Sequence, residues 1–229
     1  MEAFPQNIGG LIGESKNEKK TEKRLWDLSL KFVEGRQWLS YDKRVSQFIT
    51  ANLQADGQSR VTVNLLINIY RNVLSRLALS YPSIAVMPAT PSAEDILKAK
   101  TSEMALQYYW HRDDMKHKLE KLIQWLLTTG TAATHTFYDS SEKRILTEVY
   151  GAYDIFFERA VISPEDSRWI ALRTYTTKYE LKKAYPDHAK EIDQTSMSDE
   201  DNYGLISSGT TNEPPKDRAE LFEIYWRDG

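Results

Sequence analysis

The sequence predicts an α+β chain, helix-rich in its N-terminal half and β-rich after it. Two observations predict that class. Up to Gly130 the apolar residues recur at three- and four-residue steps, the period of a helix with one buried stripe. After Gly130 the texture turns small, β-branched and aromatic, with alternation and short turn signals, as strands and hairpins require. A third observation bounds the size: 229 residues, 41% hydrophobic and 28% charged, suit one large domain or two small ones with a real core.

Taken in order, residues 1–14 carry Pro5, Gly9, Gly10 and Gly13 and read as a flexible arm. Ser15 and Glu18 have capping-box spacing, which predicts an amphipathic helix from Lys16 to Glu34. Gly35 ends it, since a left-handed C-cap residue costs least without a side chain. Gln37-Trp38 then places a large aromatic at the turn. Residues 39–59 are polar and mixed, with Asp56-Gly57 as a turn signal.

The organising stretch is Arg60 to Pro88. Val61-Thr62-Val63 favours extended backbone, and Asn64 can cap a helix by accepting from an orphan N–H. Leu66, Ile67, Ile69, Tyr70, Val73, Leu74, Leu77 and Ala78 supply a broad apolar stripe, with Arg71 and Arg76 mainly on the other side. Tyr81-Pro82 ends this helix, because the residue before proline is pushed out of the α region. Ser83 to Pro88 alternates as a half-buried strand does. This unit is expected to be the core onto which the rest packs.

Ser92 with Asp95 opens a long helix from about Ala93 to Arg112, and Asp113-Asp114 opens another that reaches Thr128 and stops at Gly130. Thr131–Tyr138, the turn at Asp139-Ser140-Ser141, and Arg144–Tyr150 form a hairpin by pattern. Tyr153–Phe157, which contains Asp154, and Trp169–Tyr175 predict two further strands. Thr177 with Glu180 predicts a short capped helix ending at Tyr185-Pro186. Asp193–Asp217 is nearly empty of aliphatics and is expected to be mobile around 195–216. Leu221–Trp226 alternates like a strand in want of a partner, which raises the expectation that the chain is part of a longer protein.

Composition excludes several classes. With no cysteine, disulfides, thiolate metal sites and cysteine nucleophiles drop out. A net charge of −3 argues against a dedicated non-specific DNA binder, which shows a basic excess. No apolar run approaches the roughly 20 residues of a membrane span, and the N-terminus lacks a basic n-region. A cytoplasm-like compartment is expected. Thirteen Tyr and six Trp suit surfaces that end up against partners.

Candidate chemistry is sparse. His111 and His117 are six apart, which is not metal-pair spacing on a helix. His135 has no nucleophile elbow near it, and His188 stands alone. Asp154, Glu158, Glu165 and Asp166 could be assembled into a metal-dependent nuclease or hydrolase, though nothing in the spacing requires it. The N-terminal glycines do not make a phosphate loop. Lys98, Lys100, Arg112, Lys116, Lys118 and Lys121 intermix with aromatics as in a nucleic-acid-binding adaptor, but interleaved acids dilute them. Chemistry alone assigns no catalytic residue, no cofactor and no metal.

The ordered set of motifs resembles the N-terminal part of a portal protein of short-tailed bacteriophages. Its pieces are Phe32 to Trp38 (with Gly35, Gln37 and Trp38), Arg60 to Pro88 with Asn64 and Tyr81-Pro82, the helix into Gly130, Tyr138-Asp139, the Asp154 segment, Thr177 to Tyr185-Pro186, and Phe222 to Trp226. The resemblance implies the wing region of that family: residues 15–130 its helix-rich part and 131–229 its β-rich part, with the stem and clip not in this chain. It also implies a homo-oligomeric ring, usually of about twelve copies, at one capsid vertex of the virion, assembled in the host cytoplasm. Such a ring passes double-stranded DNA without sequence specificity during packaging and ejection. Its partners are the major capsid protein, the terminase, and adaptor, head-completion and tail proteins. No enzymatic activity is implied, because the ATPase belongs to the terminase.

Overall fold

The computed structural model describes residues 7–44, 47–50, 61–79, 82–140, 142–158, 161, 164–195 and 217–227. Among these, seven α-helices and seven strands form, so the chain is α+β as its texture predicts. The chain divides into two compact units: a middle unit, residues 22–152, and an end unit made of residues 1–21 and 153–229. The change from helical to β texture at Gly130 falls inside the middle unit.

In the middle unit, α2 (Lys20–Val33) leads into a small antiparallel hairpin, β1 (Leu39–Asp42) and β2 (Gln47–Thr50). Tyr41 lies opposite Phe48 with the rings edge-on at 5.2 Å, and the Arg24 guanidinium of α2 covers Tyr41. The Lys31 ammonium donates to the Phe48 carbonyl, which ties α2 to the hairpin. Burial of that ammonium pushes the Lys31 pKa below its usual value, because desolvation penalises the charged form.

Next come α3 (Leu65–Leu79), α4 (Ala93–Arg112), α5 (Met115–Thr129) and the hairpin β3 (Ala132–Asp139)–β4 (Arg144–Gly151). Ser92 caps α4 by accepting from the Asp95 amide at 3.2 Å, as its spacing predicts. Between α4 and α5 the chain turns at Asp114, which holds φ of 46°. The β3–β4 ladder runs from Ala132↔Gly151 to Asp139↔Arg144. Trp125 of α5 presses on its end at Gly151, where an added Cβ would meet the indole at 2.6 Å. Only glycine lets helix and hairpin approach so closely.

Two expectations for this unit need correction. The Arg60–Pro88 stretch was to be the core, yet α3 has no buried residue. Its helix carries two apolar stripes, and one of them is left outside. Ser83–Pro88 is not a strand. Burial does alternate there, with Ile84 and Val86 half-buried and Ala85 and Met87 exposed, but no ladder pairs with the segment. Its Val86 N–H points instead at Glu103 Oε2 of α4, 3.5 Å away. Alternation reports a one-sided contact, and a helix can supply that contact as well as a sheet does.

The end unit is a three-stranded antiparallel sheet, β5 (Ile155–Phe157), β6 (Trp169–Thr177) and β7 (Arg218–Trp226), in the order β5-β6-β7. Its core is Phe156, Trp169 and Ala171, closed by Phe222, Ile224, Trp226 and Leu11 of α1 (Ile8–Glu18). The strand expected at Leu221–Trp226 begins three residues earlier and finds its partner in β6, from Trp169↔Trp226 to Thr177↔Arg218. At Thr177 both halves of the predicted capping box form, which starts α6 (Lys178–Ala184). Then α7 (Ala189–Gln194) follows, which the sequence does not announce. The segment 196–216, expected to be mobile, lies outside the described residues.

The N-terminal arm also differs from expectation. Helix starts at Ile8, because Asn7 accepts from the Gly10 amide at 3.0 Å and Leu11 gains a sheet to pack on. Ser15 is therefore a buried mid-helix residue and not a cap. The single helix expected from Lys16 to Glu34 is two, broken at Lys19. The Lys19 ammonium donates to the Ile155 carbonyl and lies over the Phe156 and Phe157 rings at 5.1 and 4.8 Å.

Candidate functional site

The predicted site residues fall into one knot, one ion network and a set of element ends. The knot joins α2 to α3. Gly35 has φ of +84°, its amide donates to Phe32 O, and the Arg36 amide donates to Lys31 O. Those paired bonds close α2 as a Schellman motif. Asn64 serves both helices. Its Nδ2 donates to Val33 O at 2.9 Å, and its Oδ1 accepts from the Ile67 amide at 3.1 Å. A Cβ on Gly35 would sit 3.0 Å from Asn64 Nδ2, so the glycine also makes room for the amide. The Gln37 amide donates to Gly35 O, and Trp38 Nε1 donates to Thr62 Oγ1 at 2.9 Å. Gly35, Gln37, Trp38 and Asn64 thus form one junction, although 29 positions separate the first from the last.

The ion network lies in the end unit around Arg173, a buried side chain on β6 that sequence reasoning missed. Its Nε donates to Asp154 Oδ1 at 3.0 Å and one Nη donates to the Tyr153 carbonyl at 3.1 Å. Glu220 of β7 lies 3.9 Å away on the other side and also pairs with Lys16 of α1 at 3.5 Å. The guanidinium is sandwiched near Phe156 and Tyr175, 5.5 and 5.0 Å from the ring centroids. Asp154 is therefore a structural counter-ion. A strand residue whose flanks are Leu172 and Thr174 gives only the faint signal of a lone arginine in a hydrophobic run.

The remaining predicted residues mark element ends. Gly130 closes α5 in the left-handed region (φ 75°), donating to Leu126 O. Asp139 Oδ1 faces the Glu142 amide across the β3–β4 turn. The Tyr185 amide closes α6 on Leu181 O at 2.7 Å, Pro186 opens the following 3₁₀ turn, and Trp226 ends β7 against Trp169. Pro82 is exposed. Tyr81 lies outside the described residues.

Asp113, expected with Asp114 to open α5, is instead a latch to the hairpin. It is buried at the α4–α5 corner, accepts from the Thr147 amide of β4 at 2.7 Å, and pairs with Lys118. Beside it, Thr147 Oγ1 and Thr136 Oγ1 are 3.1 Å apart across the hairpin.

Of the carboxylates that could have made a metal centre, Asp154 is held by Arg173. Glu158 accepts from the Arg168 amide at 3.0 Å and its own amide donates to Ser167 Oγ. Glu165 offers its carbonyl to Arg227. Among the described residues no group of three or more His, Asp or Glu is placed to hold a metal ion. His117 and His188 sit beside Glu120 and Glu191 one helical turn on, and His135 stacks on Phe137 at 5.2 Å. Three basic residues of α4 and α5 are locally answered: Lys98 by Glu94 at 2.6 Å, Lys118 by Asp113, Arg112 by the Tyr108 ring.

Among the described residues, two of the cavities open in the middle unit. One, of about 480 Å³, is a groove walled by Leu28 and Phe32 of α2, Leu66, Ile69 and Val73 of α3, and Leu127 of α5. Tyr70 stands at its edge, its phenol pKa raised by burial. The other, of about 620 Å³, lies between Pro82–Ala85 and the side chains of Glu103, Trp110 and Asp114. Glu103 is occupied in holding Gln107 and the Val86 amide. No described helix is long and apolar enough to cross a membrane.

The predicted site residues that the structure describes cap helices and tie elements together. The family model described as phage P22-like portal protein matches residues 18–228, nearly the whole chain, and the chain belongs to that family. Among curated proteins nothing matches it.

Proposed function

We propose that this chain is a subunit of the portal ring at one vertex of the phage capsid, where it surrounds the channel through which DNA enters at packaging and leaves at ejection. The observation that carries this reading is the family match over residues 18–228. In this reading residues 15–130 and 131–229 are the helix-rich and β-rich parts of the wing. The Gly35–Trp38–Asn64 knot, Asp154, Gly130, Asp139, Tyr185-Pro186 and Trp226 hold that wing's elements at fixed angles. The ring, of about twelve copies, is assembled in the host cytoplasm and docks the major capsid protein, the terminase and the adaptor and tail proteins. Double-stranded DNA passes through it without sequence-specific contact. A chain of net charge −3 suits that role, because DNA that slides must not be gripped.

Negative-stain electron microscopy of the full gene product, averaged for rotational symmetry, tests the reading. A ring with an open axial channel, near twelvefold, is the expected result. A uniform monomer or dimer would overturn it.

A further inference from the structure

Two faces of the middle unit are apolar and uncovered, and they match. In α3 the half-buried positions are Ile67, Tyr70, Leu74 and Ala78, which form the stripe that packs inward. Leu66, Ile69, Val73 and Leu77 form a second stripe, and these four remain 38–60% exposed, the first three of them along the groove bordered by Leu28 and Phe32. In α4 the inward side carries buried Ala99 with half-buried Asp95, Glu103, Tyr109 and Trp110, while Leu97, Met104 and Tyr108 point outward at 57–67% exposure. Three large apolar side chains are thus left in water on the face that a surface helix normally fills with polar residues.

We propose that the outer ridge of α4 on one copy seats in the α2–α3–α5 groove of the next copy. The proposal rests on the ring reading above and names the surface that would close the ring. Rotational rings need a head-to-tail contact, in which each chain presents two different surfaces that fit each other. Here one chain carries a groove and a ridge. Both stripes cover the same stretch of helix, Leu66 to Leu77 and Leu97 to Tyr108, about 16 Å at 1.5 Å per residue. Steps of three and four residues in each (66, 69, 73, 77 and 97, 101, 104, 108) allow knobs of one to enter the gaps of the other. Leu97, Met104 and Tyr108 together leave on the order of 350 Å² of surface in water, close to half of the roughly 800 Å² per partner of a standard interface. Such an area fits a second folded copy, and the polar flanks of α4 would supply the rim.

The test uses the full-length protein and two variants, Leu97→Glu/Met104→Glu on the ridge and Ile69→Glu/Val73→Glu on the groove. All four positions are solvent-exposed, so each variant is expected to keep the circular dichroism of the parent. Mass photometry is expected to show rings for the parent and a loss of at least tenfold in rings for either variant alone. An equal mixture of the two should give heterodimers and nothing larger, because one intact ridge and one intact groove remain. Rings from either variant alone, or no heterodimer in the mixture, would overturn the surface while leaving the ring reading intact. A parent that forms no ring would overturn the ring reading itself and this surface with it. Since these 229 residues contain no cysteine, Val73→Cys/Met104→Cys supplies an independent measurement. Mild oxidation should yield a ladder of disulfide-linked oligomers for the pair and none for either single variant. No ladder from the pair would count against the contact even if the glutamate variants had failed to fold.

Discussion

Asn64 shows how much one side chain can hold. Its amide group donates to the last turn of α2 and accepts from the first turn of α3, so truncation removes two bonds at once. Asn64→Ala is expected to cost about 2 kcal/mol, a helix cap plus an unsatisfied carbonyl. Gly35→Ala is expected to cost about 1–2 kcal/mol for a left-handed residue with a side chain, and more for crowding Asn64. The double variant should cost less than the two losses added, since removing the amide relieves the crowding. Urea unfolding followed by tryptophan fluorescence measures all three, and strict additivity would disprove the shared junction. Glu180 gives a pH-dependent counterpart. Hydrogen bonds from Thr176 and Thr177 hold its carboxyl below the usual 4.5, so the folded state binds the proton less readily than the unfolded chain does. Its contribution is complete above pH 4.5 and fades as pH falls through the lower folded value. Glu180→Gln should be less stable than the parent at pH 7 and converge with it in acid. Thermal melts at descending pH test this, and a constant gap would refute it. Caps such as Asn64 and Thr177 were legible in the sequence because their chemistry spans three residues.

Between elements the links are long-range, and there the sequence says less. The corner of α4 and α5 is fixed to the β3–β4 hairpin by Asp113, whose partner Thr147 lies 34 residues on. Nothing local marks Asp113 as different from Asp114 beside it. Asp113→Ala would leave the Thr147 amide unsatisfied inside the fold and Lys118 without its counter-ion, at about 2–3 kcal/mol. Hydrogen exchange at Thr147 should accelerate by at least tenfold, while amides of β1 and β2 keep their rates. An unchanged Thr147 rate would show that the latch is dispensable. The same limit explains α3 and the Ser83–Pro88 segment. Periodicity reports which residues want cover, but whether a helix, a sheet or another molecule supplies it is decided by residues far away in sequence. Arg173 was hidden for the same reason. Its acids, Asp154 and Glu220, reach it from other strands and turns. Replacing only one partner of such a network leaves a buried charge, which costs more than the network adds.

At the scale of the whole molecule, the class and the helix-to-strand order were legible, and so was the portal resemblance, because each depends on the order of patterns. The division into units was not. A reading along the chain places a boundary where texture changes, near Gly130, whereas contact groups residues 1–21 with 153–229. Leu11 and Lys16 of α1, and Lys19 just after it, meet Phe156, Glu220 and Phe222, all from beyond residue 152. That arrangement has a consequence for biosynthesis. Roughly 200 residues separate the end of α1 from the start of β7, which at ~5–20 residues per second is a delay of about 10–40 s. Until β7 emerges, the cluster around Leu11 lacks Phe222, Ile224 and Trp226, and by then every described strand and helix of residues 22–152 has already been made. The middle unit can close first, and the first helix to be made is among the last to find its place.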